Sequence, residues 1–266
     1  MLKFFQRAKA SPAYGTPLVL RATTGSLSQT FDASIVNSFR HMATNLDFNG
    51  GLPGCIAFIA ALSGEGVTYT SLAFGTTLAT DTTARVCVVE LNWWSPGMLA
   101  QLSQQGALQA KDRGGRRRKQ AQPSSGRTDI PAGPGLAQVL GGTATLDEAI
   151  ITTEQPNLHL LPAGELPIAS RPLMARSKAL RELIGQLQQR YDHLILDIPA
   201  ILTTSDAIAL TALSDACVLV VRQGVTPTPS VKRALDDVRN EKVLGVVLNQ
   251  VQLKTPQFIH TLIPQE

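Results

Sequence analysis

Between Cys55 and Ala79 the chain reads CIAFIAALSGEGVTYTSLAFGTTLA: an apolar strand, a glycine turn and a helical stretch in direct succession. Ile56 to Ala60 carries no polar residue, as a strand covered on both faces requires. Ser63-Gly64-Glu65-Gly66 then breaks the run, and the pattern from Thr68 onward suits a helix reaching about Thr80. A turn entered from a strand and left through a helix is the frame of a phosphate-binding loop. Its glycines let backbone N–H groups close on an anion, and the helix N-terminus adds a partial positive charge. In the working motif the turn ends Gly-Lys-Ser/Thr. Here it ends Gly66-Val67-Thr68, so an aliphatic side chain stands where an ammonium would reach the outer phosphates.

The remainder repeats the strand-then-helix alternation. A helix is expected from about Asp32 to Asn45, with Ile35, Phe39, Met42 and Leu46 on one face, closed by Phe48-Asn49-Gly50-Gly51. Strands follow at Val86–Glu90, Leu158–Leu161, Leu194–Ile198, Cys217–Val221 and Val243–Leu248. Helices are expected near 97–104, 135–140 and 146–151. A longer one runs from about Arg176 to Arg190, with Leu180, Leu183, Ile184 and Leu187 inward. Another begins near Ser230, read as an N-cap, with Val231, Leu235 and Val238 inward. The expectation is an α/β fold: a doubly wound, mostly parallel sheet of the P-loop NTPase type.

At 266 residues, with 44% hydrophobic and 17% charged content, the chain can build one large core, and global disorder is excluded. Residues 1–30 read as a loosely held arm and 31–266 as one domain, interrupted by a basic insertion at about 106–134. No apolar run approaches the roughly 20 residues of a spanning helix, and MLKFFQRAKASP is too short-cored for a secretion signal. Cys55, Cys87 and Cys217 are far apart in apolar runs and read as buried hydrophobes, which points to a cytosolic setting. The net charge of +4 is uneven, since Lys111, Arg113, Arg116, Arg117, Arg118 and Lys119 share one segment. That segment is a solvated loop or a contact for an anionic membrane face. No aromatic residue interleaves it to stack on bases, so nucleic acid is disfavoured.

In a sheet of this kind ligands sit at the carboxyl ends of the strands. Three such ends carry candidate groups. The glycine turn supplies Gly64, Glu65, Gly66, Val67, Thr68 and Tyr69, with Thr68 in the slot of a magnesium-binding hydroxyl. Asp197, after four residues of which three are apolar, has the placement of an aspartate that holds magnesium through water. Glu90 closes Val86-Cys87-Val88-Val89 and is followed by Asn92 and Pro96. An acidic residue ending a buried strand can equally be its first solvated position.

Taken together, these segments resemble the cytoplasmic domain of the bacterial tyrosine kinases and the capsular or exopolysaccharide chain-length ATPases, of the MinD/ParA-type branch of P-loop proteins. The likeness runs from Ser38 to Pro264. It is carried by Ser38 to Leu46, Ser63-Gly64-Glu65-Gly66, Val88 to Pro96, Gly135 to Leu140, Leu158 to Gly164, Tyr191 to Pro199 with Ser205-Asp206-Ala207, Val220 to Thr226, and Leu244 to Asn249. The resemblance implies ATP or ADP with magnesium, held by the glycine loop, by Thr68 and Asp197 at the metal, and by Asn249 at the base. Asp197 and Glu90 would be the catalytic acids. It also implies a membrane chain-length or co-polymerase partner, a homo-oligomer, and a place at the inner face of the plasma membrane. The departures lie where transfer would occur: Val67 for lysine, Glu90 and Asn92 for two aspartates, and Asn37 and Ala43 flanking the retained Arg40 in the ring-building helix. Three tyrosines (Tyr14, Tyr69, Tyr191) leave no tyrosine-rich tail. Three functional expectations follow: a catalytically impaired relative that regulates or scaffolds polysaccharide assembly, an active kinase or ATPase with an atypical loop, or a partition-type positioning ATPase.

Overall fold

The computed structural model describes residues 4–5, 15–23, 27–103 and 133–250; the basic segment 111–119 and the stretch from 251 onward lie outside them. Eight strands form the main sheet in the order β1-β10-β9-β4-β8-β5-β7-β6. They are β1 (Phe4–Phe5), β4 (Cys55–Ala60), β5 (Val86–Glu90), β6 (Ile151–Thr152), β7 (Leu158–Leu161), β8 (His193–Asp197), β9 (Ala216–Arg222) and β10 (Val243–Asn249). All pair in parallel except β6, which runs antiparallel to β7 at one edge. This is the doubly wound, mostly parallel sheet expected from the apolar runs.

The strands feed two cores by simple alternation. In β4, Cys55, Ala57 and Ile59 enter one cluster while Ile56 and Phe58 enter the other. A strand with both faces covered has no solvated position, which is why these runs lack polar residues. The first core is closed by α4 (Leu136–Leu140), α6 (Arg171–Ala175), α7 (Lys178–Arg190), α8 (Asp206–Thr211) and α9 (Thr228–Asp237). The second is closed by α1 (Ala33–Phe48), α2 (Val67–Asp81) and α3, helical over 98–103. Each large aliphatic side chain so buried contributes about 1.5–3 kcal/mol. Helix α2 lies close on the sheet because Gly75 leaves room: a Cβ there would fall 2.6 Å from Val88 Cγ2. The three cysteines are free and buried, with thiols pushed up to about 12 by burial.

Several local expectations change. The segment read as a loose arm contains β2 (Leu18–Arg21), which pairs antiparallel with β3 (Ser28–Phe31) and buries Leu20 and Phe31 against the second core. The alternation in these two runs is only four residues long, too short to stand out beside Pro12, Gly15, Pro17 and Gly25. On α1 the buried face is Ala33, Val36, Phe39, Met42 and Leu46, and Ile35 is displaced to the cleft side. Helix α9 is capped at Pro227, not Ser230; Pro229 sits in the first turn, where its missing N–H costs nothing. The helix expected at 146–151, α5 (Leu146–Ala149), stops at Ala149, after the Thr145–Glu148 capping box, and Ile151 joins β6. No helix among the described residues is long and apolar enough to cross a membrane.

Candidate functional site

The turn after β4 opens a cleft of about 550 Å³ at the carboxyl edge of the sheet. Gly64 and Gly66 take φ of +83° and +92°, values a side chain would strain. Gly66 is also required by contact, since a Cβ there would meet Asn249 Nδ2 at 2.1 Å. That amide donates to the Glu65 carbonyl at 2.9 Å, so Asn249 ties the end of β10 to the loop. The Glu65 side chain is buried and braces the loop from within. Its Oε2 accepts from Ala61 N at 2.9 Å and Leu62 N at 3.2 Å, and its Oε1 accepts from the Thr226 hydroxyl. Among the described residues, the N–H groups of Gly64, Gly66, Val67 and Thr68 have no protein acceptor. These residues line the cleft, at the head of a 15-residue helix. Such an array suits a polyanion.

Asp197 closes β8 directly behind Thr68. It is fully buried, and among the described residues neither carboxylate oxygen has a hydrogen-bond partner. The Thr68 hydroxyl is turned toward it without completing a well-formed bond. Burial, reinforced by the neighbouring Glu90 charge, pushes the Asp197 carboxyl well above the usual range, and Thr68 opposes this in part. An unpartnered buried carboxylate is costly, and a bound cation removes the cost. Asp197 itself does not line the cleft, whereas Thr68 and Ile198 do.

Glu90, its register partner on β5, is placed differently. Oε1 accepts from Gly97 N at 2.6 Å and Met98 N at 2.8 Å, and Oε2 accepts from Ala163 N at 3.0 Å. The Ala163 carbonyl in turn accepts from Trp93 Nε1 at 2.9 Å. Glu90 therefore fastens the ends of β5 and β7 to α3, and it borders a second hollow of about 490 Å³ instead of the cleft. Burial raises its pKa, with the three amides pulling the other way.

The remaining candidates fall where the loop leads. Val67 is half-buried against the second core, and Tyr69 sets its ring edge-on to Phe31 at 5.3 Å. The structure thus gathers Gly64 to Tyr69 and Asn249 at one cleft, with Asp197 behind it and Glu90 facing elsewhere. Sequence reasoning missed Asp32, Ser95, Gln101 and Gln250 on the cleft wall. None had a signal: Asp32 read only as a helix start. Arg40, retained in the expected ring-building helix, is held inside the chain by Asp81 at 2.7 and 2.8 Å. Among the described residues lining the cleft there is no lysine or arginine; the carboxylates are Asp32 and Glu65.

The open amides, Thr68 and the orphaned Asp197 carboxylate fit a magnesium-bound polyphosphate; Val67 does not fit the role of the loop lysine. Known proteins are similar to this chain in sequence and in fold. Tyrosine-protein kinase CpsD from Streptococcus agalactiae is 23% identical over 215 residues, covering 80% of this chain and 82% of its own. The succinoglycan biosynthesis transport protein ExoP from Rhizobium meliloti is 33% identical over 124 residues, 45% of this chain and 16% of its own. The kinase domain of VpsO superposes with a TM-score of 0.66 at 21% identity, covering 82% of this chain and 95% of that domain.

The chain is similar in sequence to bacterial tyrosine-protein kinases and shares the fold of their kinase domains.

No protein-family model matches it. It spans only 16% to 55% of the length of four of the tyrosine-kinase-family relatives it matches. At the loop the chain carries Val67 where the phosphate-binding motif has lysine.

Proposed function

We propose that the chain is a magnesium–nucleotide-binding, tyrosine-kinase-like protein that regulates or scaffolds capsular or exopolysaccharide assembly, with phosphoryl transfer impaired. It would work at the inner face of the plasma membrane with a chain-length or co-polymerase partner. The observation that carries the reading is the open row of loop amides with the unpartnered Asp197 behind Thr68. Thr68 would hold the magnesium directly and Asp197 through water, while the loop amides hold the phosphates. Bound magnesium would supply charge neutralisation to the phosphates.

Impairment is supported by Val67 and by the commitment of Glu90 to three backbone amides. Phosphoryl transfer depends on positioned charge, and one lost donor is worth about 10²–10³ in rate. The second reading, an active kinase or ATPase, is favoured by the intact Thr68–Asp197 pair and would need a cation from outside the described cleft. Two measurements decide between them. A fluorescent ADP or ATP analogue should bind with a magnesium requirement that Asp197→Asn removes; absence of binding at millimolar nucleotide overturns the reading. Tyrosine phosphorylation or ATP hydrolysis that Asp197→Asn abolishes would favour the active form instead.

A further inference from the structure

We propose that the exposed face of residues 168–176 is the surface by which this chain lies against an anionic lipid membrane. The inference rests on the membrane placement proposed above and gives it a surface of the chain's own, apart from the nucleotide cleft.

A 3₁₀ turn over Ile168–Ser170 runs straight into α6, since Ser170 and Arg171 both keep right-handed helical dihedrals. Along this stretch the exposed residues are Ile168, Ala169, Pro172, Leu173 and Arg176. Those positions, i, i+1, i+4, i+5 and i+8, make one helical face. The opposite face is spent on the fold: Ala175 is buried in the first core, Met174 packs against it, and Arg171 Nε donates to the Leu166 carbonyl at 3.2 Å. A surface helix ordinarily turns its polar residues outward. Here four of the five outward residues are apolar. Ile168 and Leu173 are 76% and 78% exposed, while the other large apolar side chains left exposed among the described residues, Val19, Phe48 and Val225, stand singly. Apolar side chains grouped in this way mark a contact surface, whereas single ones need no explanation.

Charge names the occupant. From Leu166 to Arg181 the sequence holds Arg171, Arg176, Lys178 and Arg181 and no acid. Arg176 meets the buried Asp206 at 2.7 Å and Lys178 meets Glu182 at 3.0 Å, yet each of the two cations stays more than half exposed. Arg171 and Arg181 have no ion pair among the described residues. Lys178 opens α7, which leads back to the start of β8. Because β7 and β8 both run parallel to β5, that first turn lies at the same carboxyl edge of the sheet as the segment following β7. The stretch that contains Lys111 to Lys119, with its six cations, rejoins the described chain here too. Gly133 and Pro134 line the second hollow with Gly164 and Glu165, and Glu165 is within about 11 Å of chain from Ile168. Aliphatic side chains fringed by cations fit the boundary between headgroups and acyl chains, where the first enter and the second meet lipid phosphates. Each cation near an anionic leaflet strengthens binding about fivefold. Neutral lipid would answer only the apolar half of this face.

The test is co-sedimentation of the full chain with vesicles of equal parts phosphatidylglycerol and phosphatidylcholine, and with phosphatidylcholine alone. Binding to the anionic vesicles should be tighter by about tenfold or more. Ile168→Ser with Leu173→Ser should weaken it about tenfold, and Lys178→Gln with Arg181→Gln by a similar factor. Exchanging the six cations of 111–119 for glutamine should lower binding overall and leave the Ile168 and Leu173 effect in place. A polarity-sensitive dye on Leu173→Cys, selective because the three native cysteines are buried, should shift to the blue on anionic vesicles. Ile168 and Leu173 are exposed, so thermal melts should not change with their substitution. Equal binding to both vesicle types, or an apolar double variant that binds like the unaltered chain, overturns the inference. Absence of binding to anionic vesicles also overturns it and leaves the face to a protein partner. A chain that binds nucleotide but no anionic vesicle removes this inference alone, and one that binds vesicles but no nucleotide removes the nucleotide reading alone.

Discussion

Glu90 and Asp197 end neighbouring strands in register, are both buried, and are both raised in pKa by desolvation, yet their surroundings are opposite. Glu90 accepts three backbone N–H groups, and Asp197 accepts none. The extra methylene of Glu90 explains much of this, because it carries the carboxylate past the strand end to the 97–98 and 163 amides. A buried acid whose donors are all supplied by the fold is a fastener. One left without donors is held at a cost to stability, and such a cost is sustained where a ligand relieves it. The pair thus separates an acid whose needs the fold itself meets from one that it leaves open.

The comparison breaks most visibly at Glu90. Glu90→Ala strands three buried amide donors and should lower unfolding free energy by about 3–4 kcal/mol in urea titrations, since charge-assisted bonds and desolvated donors are both lost. A loss below about 1 kcal/mol would mean that the fastener role is wrong.

Next in size is the loop. Gly66→Ala forces a Cβ onto Asn249 at a left-handed φ and should cost about 2 kcal/mol. Asn249→Ala in the same chain should recover about 1 kcal/mol of it, which a double-mutant cycle would read. Strict additivity would show that the contact does not couple β10 to the loop.

Asp197 should respond with the opposite sign to Glu90. Asp197→Asn removes an unpartnered buried charge and should raise the metal-free melting temperature by about 2–4 °C, while magnesium no longer adds stability in the presence of nucleotide. A fall in melting temperature would place Asp197 among the fasteners.

The smallest effect is in acid and sharpens the same contrast with a surface acid. The Arg85 side chain, then its backbone N–H, lowers the Asp192 carboxyl from 3.8 to about 2. A depressed pKa gives stability that is present above 3.8 and fades as pH falls toward about 2. For Asp197 the sign reverses. Its raised pKa means the folded chain holds the proton longer than the unfolded one, so stability falls as pH rises from 3.8 through the folded value. Asp197→Asn should flatten the profile on the high side of 3.8, and Asp192→Asn only on the low side.

Much of the fold could be read directly from the chain, because uninterrupted apolar runs such as Ile56–Ala60 and Leu194–Leu196 have one stable use, a parallel strand covered on both faces. The β2–β3 ribbon was not legible: its residues alternate over only four positions, and its burial depends on α1 and α2 being already in place. At the candidate site, the loop and the strand-ending acids were identifiable by type and spacing. Their division of labour was not, because the hydrogen-bond partners of Glu90 lie seven, eight and seventy-three residues away. Nor could Asp32, an ordinary helix start in sequence, be assigned to the cleft wall.

By itself, then, the sequence determined the alternation of strands and helices, the glycines at Gly64 and Gly66, the aliphatic Val67 and the acids that end β5 and β8, since each follows from local residue chemistry and spacing. Only the tertiary structure decided which acid is satisfied, that Glu65 and Asn249 brace the loop, and that Asp32 reaches the cleft wall. Solvation of a charge depends on what the rest of the chain brings within a few ångströms of it, and no local pattern encodes that.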